Sequence, residues 1–182
     1  MRYNGNMEQV KKWRAPAVLL ALVCLHAYAD AQSTAGISWP AEPEFWVATA
    51  ANLAGVGLFV SRVHWREAAT AFGYATQAMG IPALAVGIAD LVMGRPDAAT
   101  AGVLAYAGWA LASAFVDHVL GLSYRDPVRP TILVPYVVTY YAGIGLMSAT
   151  QLVHGLPPWI IAGSTCILAV GASFYARAKG AD

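Results

Sequence analysis

Ala99-Thr100-Ala101-Gly102-Val103-Leu104-Ala105-Tyr106-Ala107-Gly108-Trp109-Ala110-Leu111-Ala112-Ser113-Ala114-Phe115-Val116-Asp117-His118-Val119-Leu120-Gly121-Leu122 contains a single formally charged side chain, Asp117. A hydrocarbon core about 30 Å thick needs about 20 mostly apolar helical residues to cross it, so this stretch predicts a membrane span. Working outward, equally apolar runs occur at 15–34, 44–61, 68–93, 131–154 and 158–176. The breaks between them carry turn chemistry, as in Trp39-Pro40-Ala41-Glu42-Pro43, Gly94-Arg95-Pro96-Asp97 and Gly155-Leu156-Pro157. The expectation is an all-α integral membrane protein of six transmembrane helices, one domain over 1–182.

Composition agrees. Hydrophobic residues make up 58% of the 182 and charged residues only 12%, against about a quarter charged in an ordinary soluble domain. A net charge of +1 gives no basic excess to hold nucleic acid, so nucleic-acid partners are not expected. Cys24 and Cys166 stand alone in apolar runs, which excludes a disulfide framework and a zinc ribbon.

Basic residues set the expected orientation. Arg2, Lys11, Lys12, Arg14, Arg62, Arg66, Arg125, Arg129, Arg177 and Lys179 fall on one side of a six-span arrangement and Arg95 alone on the other. The positive-inside rule then puts both termini in the cytoplasm, with the chain in an inner or plasma membrane. A competing reading takes the basic start, the apolar run 15–25 and Ala29-Asp30-Ala31 as a cleaved signal peptide.

The halves also match each other. Ala27-Tyr28-Ala29-Asp30 aligns with Ala114-Phe115-Val116-Asp117, Ala54-Gly55-Val56-Gly57-Leu58 with Ala142-Gly143-Ile144-Gly145-Leu146, and Leu84-Ala85-Val86-Gly87 with Leu168-Ala169-Val170-Gly171. Three spans end on the side opposite their start, so a duplication over 15–93 and 99–176 gives a 3+3 inverted repeat. The bland alternative is that small residues recur wherever membrane helices pack closely. In the repeat, Asp30 and Asp117 become near mirror images across the midplane.

Ionisable groups inside spans cost free energy and default to functional or paired roles. The candidates are Asp30, Asp90, Asp117, His26 and His118, with the neutral polar Gln77 and Asn52 at similar depth and Tyr140 in an aromatic stripe with Tyr136 and Tyr141. His26 and Asp30, four residues apart, suit a hydrogen bond better than a metal site, which needs further ligands from other helices. Consecutive Asp117 and His118 should point about 100° apart and not reach one partner. Arg125 or Arg129 is a plausible counter-ion for Asp117. Pro82 should break the third span and free carbonyls, either to a substrate or to neighbouring helices. No Walker, GxSxG, HExxH or dinucleotide motif occurs, and no cofactor follows from the sequence.

These features favour a transporter or channel for a small solute or ion, with Asp30 and Asp117 binding a proton or cation. A membrane-embedded enzyme acting on an isoprenoid, quinone or lipid by Asp/His acid-base chemistry is the alternative. An accessory subunit whose polar groups only fix helix pairing is a third. A polar cavity reaching Asp117 would favour transport, and an apolar one lined by Tyr136, Tyr140 and Trp109 the enzyme. The expected partners are the lipid bilayer and a small solute, ion or lipophilic molecule. Small-residue faces also suit a homo-oligomer.

Overall fold

Proline cannot donate a hydrogen bond inside a helix but fits its first turn, and three of the described helices carry one there. In the computed structural model, which describes residues 42–122 and 129–181, these are α1 (Pro43–His64), α5 (Pro130–Ala149) and α6 (Leu156–Ala178). Between α1 and α5 lie α2 (Arg66–Ala78), α3 (Gly80–Val92) and α4 (Ala98–Ala114). At the start of α4, Asp97 Oδ1 accepts from the Thr100 backbone N–H at 2.9 Å while Thr100 Oγ1 accepts from the Asp97 N–H at 3.2 Å, so two of the helix's open donors are satisfied.

Counting α2 with α3 as one crossing, and α4 and α5 with their terminal turns, five segments are long and apolar enough to span a membrane. They are Pro43–His64, Arg66–Val92, Ala98–Val119, Pro130–His154 and Leu156–Ala178, within a few residues of the last five of the six runs read from the sequence. The first run, and with it His26 and Asp30, lies outside the described residues, so the sixth helix and the inverted repeat are not shown. Among the described residues α1 packs on α6 and α2, α4 on α5 and α3, and α5 on α6, which closes the spans into a ring.

The span Arg66–Val92 is two helices, broken at Met79 and not at Pro82. Pro82 lacks the N–H that would bond the carbonyl four residues earlier, so the helix fails upstream of the ring. Tyr106 Oη donates to the Thr76 carbonyl at 2.6 Å, within the turn that the break loosens. This carbonyl is therefore taken by a neighbouring helix and is not presented to a substrate.

Two spans end in altered turns. α4 widens into a π-helical turn, Phe115–Val119, and α5 tightens into a 3-10 turn, Thr150–His154. Packing relies on small residues, because lipid is as apolar as leucine and gives no hydrophobic drive between spans. Ala48, Ala51, Ala83, Ala107 and Ala162 are fully buried, whereas Val92 and Ile167 are more than 70% exposed on the outside. α4 and α5 approach so closely that a Cβ on Gly102 would fall 2.6 Å from Met147 Cα, and one on Gly143 3.1 Å from Tyr106 Cα.

Candidate functional site

The end of the bundle that carries Arg62 is hollow. Leu58, Phe59 and Arg62 of α1, Gly73, Thr76 and Gln77 of α2, Trp109 of α4, Asp117 and Leu122 beyond it, and Tyr136 and Tyr140 of α5 line a cavity of about 360 Å³. An adjoining lobe of about 250 Å³ shares Arg62, Gly73, Gln77 and Asp117 and adds Tyr74 and His118. Trp109 lies ten residues in from Val119, and Tyr140 ten in from Pro130, so at 1.5 Å per residue the cavity runs about 15 Å inward, roughly half a bilayer core. It is a vestibule that starts at one end and reaches the middle of the spans.

Its polar wall is organised by Gln77. The amide Nε2 donates to Asp117 Oδ2 at 2.8 Å, and Oε1 lies 2.7 Å from His118 Nε2. Consecutive Asp117 and His118 thus do reach one partner, contrary to expectation. The two ends of a carboxamide point in different directions, and both residues sit in the π-helical turn, whose residues are spaced differently around the axis. His118 is exposed and packs on Tyr74, with ring centroids 5.2 Å apart. Arg129 forms no ion pair among the described residues, and Arg125 lies outside them.

The inner wall is aromatic. Trp109 and Tyr140 are 6% and 5% exposed, with centroids 4.6 Å apart, and Tyr136 meets Trp109 at 5.7 Å with the planes inclined by 72°. Trp109 Nε1 and Tyr140 Oη are buried with no hydrogen-bond partner among the described residues. A buried polar group without a partner costs about 1–3 kcal/mol, so these two are notable orphans beside a cavity. Phe59 carries the Arg62 guanidinium 5.5 Å above its ring. Tyr141, third of the stripe, turns away and hydrogen-bonds Ser173 on α6.

The opposite end, marked by Arg95, carries a second set of polar side chains. Asp90 accepts from Thr100 Oγ1 at 3.2 Å and lies 3.8 Å from the Arg95 guanidinium. The Glu44 carboxyl lies beside it. Both are about 95% buried. Asp90 and Asp117 therefore belong to opposite ends of the protein.

Asn52 joins neither. Fully buried, its Nδ2 donates to Ser148 Oγ at 2.9 Å, Ala162 O at 3.1 Å and Thr165 Oγ1 at 3.2 Å, tying α1 to α5 and α6. The grouping of Asn52 with Gln77 by depth is thus not realised: Gln77 faces the vestibule and Asn52 a helix junction. His26 and Asp30 lie outside the described residues. Among the described residues no three His, Cys, Asp or Glu side chains gather to hold a metal ion.

Sequence reasoning missed Arg62 and Glu44 as site neighbours. Arg62 served only as an orientation marker and Glu44 only as a span boundary, although a carboxylate in a first helical turn is itself a signal. The whole chain matches no family model, no curated protein and no solved structure.

Proposed function

We propose that this protein is a small transporter or channel for a small solute or ion, with the vestibule at the Arg62 end as its binding chamber. The observation that carries the reading is the placement of Asp117 in the wall of a cavity of about 360 Å³ that reaches mid-span. A chamber that starts at one end of the spans and reaches their middle is what one state of an alternating-access cycle would present. Asp117 is the proton- or cation-binding group and Asp30 its counterpart in the other repeat. The distribution of basic residues along the sequence supports a cytoplasmic side for the vestibule.

The aromatic wall also suits a lipophilic substrate, as an enzyme would need. Acid-base chemistry by Asp117 and His118 together is poorly served, however, because the Gln77 amide separates them and an amide does not relay protons.

Reconstitution tests the proposal. Proteoliposomes enclosing a pH-sensitive dye, given a panel of alkali cations, amino acids and amines, should show flux or coupled proton movement above empty liposomes. Asp117→Asn should abolish or uncouple it while assembly stays normal. A wild-type chain that moves nothing on the panel contradicts the transport reading.

A further inference from the structure

We infer that the vestibule takes a small organic cation, a quaternary or protonated amine, seated against the inclined aromatic rings and facing Asp117. The inference rests on the vestibule being a binding chamber and adds the charge and class of its occupant.

Four aromatic residues, Phe59, Trp109, Tyr136 and Tyr140, share one cavity with one carboxylate, Asp117, and one guanidinium, Arg62. Aromatic faces are the negative part of the ring quadrupole and attract cations within about 6 Å. The rings do not stack on one another: Trp109 is inclined by 54° to Tyr140 and by 72° to Tyr136, so they form a corner of faces and edges and not a slot for a flat molecule. The wall already holds one cation in this manner, the Arg62 guanidinium over Phe59.

A neutral apolar guest would leave the Asp117 carboxylate facing hydrocarbon, and an anion seated beside Asp117 would bring like charge against it, since the Arg62 guanidinium of this cavity lies over Phe59. An ammonium with methyl or methylene substituents meets both walls at once. Its substituents cover the rings and its charge offsets the carboxylate. Gln77, by donating to Asp117 Oδ2, fixes the carboxylate against rotation.

The test is titration calorimetry on the full chain in nanodiscs with three molecules of one shape: choline, its neutral carbon isostere 3,3-dimethylbutan-1-ol, and the anion 3,3-dimethylbutanoate. Choline should bind at least about tenfold more tightly than either isostere. Asp117→Asn should weaken choline about tenfold, Asp117→Glu should restore most of it, and Tyr136→Leu should weaken it by about 3- to 30-fold, the range of a cation–π contact. Each variant is first checked for the wild-type melting temperature and elution position. If the alcohol or the carboxylate binds as tightly as choline, the cation inference falls and the binding chamber stands. Choline binding that Asp117→Asn leaves unchanged also overturns it. If none of the three binds while the flux panel finds a transported solute, the cation inference alone fails. If neither assay responds, the transport reading fails with it.

Discussion

Replacing Gly102 with alanine adds one methyl group at the tightest backbone crossing between α4 and α5. The new Cβ would stand 2.6 Å from Met147 Cα, 2.9 Å from Met147 N and 3.1 Å from Thr150 Oγ1, about 0.8 Å short of the 3.4 Å at which ordinary contact begins. The two nearest atoms are backbone and cannot rotate aside, so the helices have to separate by about that distance. Overpacking of this kind costs about 1–3 kcal/mol, against a gain of about 1 kcal/mol in helix propensity. The net expectation is a loss of up to about 2 kcal/mol. Gly108, on the same helix, has no atom within 4 Å of an added Cβ among the described residues. Gly108→Ala should therefore be neutral or slightly stabilising. The assay is the folded fraction after a heat series in mild detergent, read by fluorescence-detected gel filtration. A Gly102→Ala protein as heat-resistant as Gly108→Ala would refute the packing argument.

Two other substitutions test separate parts of the structure. Asn52→Leu removes a donor shared by three acceptors on two helices; with membrane hydrogen bonds worth about 0.6 kcal/mol each on average, the same heat series should show a loss of about 1–2 kcal/mol, with solute binding by the residual folded protein unchanged. Gly55→Ala places a Cβ 2.5 Å from Tyr140 Oη, which is the end of a side chain and can move by about an ångström, so it should weaken solute binding several-fold while the melting temperature changes little.

What could be read without the structure was depth, and what could not was direction. Span boundaries follow from apolar length alone, so 131–154 was recognised as a span, observed as Pro130–His154. Depth likewise placed Asn52 and Gln77 at one level. Which way each side chain faces depends on how helices rotate against one another, and one sequence carries little of that in spans that are apolar on every side. Gln77 therefore reaches Asp117 and His118 while Asn52 reaches Ser148 and Thr165. The π-helical turn at Phe115–Val119 was unreadable for the same reason, since it has no proline or glycine to mark it. Pro82 marked its span as broken, and the position of the break at Met79 follows from the proline's missing bond one turn upstream.

The central claim is that the vestibule is open to water from one side of the membrane only. In a Cys24→Ser, Cys166→Ser background, Gly73→Cys introduces a thiol into the cavity wall where an added Cβ meets only Leu58 Cδ1, at 3.8 Å. Ala48→Cys places one at a fully buried position in α1. A membrane-impermeant methanethiosulfonate bearing a trimethylammonium group is applied to right-side-out and inside-out vesicles. The account predicts modification of Gly73→Cys from the cytoplasmic face alone and of Ala48→Cys from neither. Modification of Gly73→Cys from the outer face, or from neither face, would contradict it.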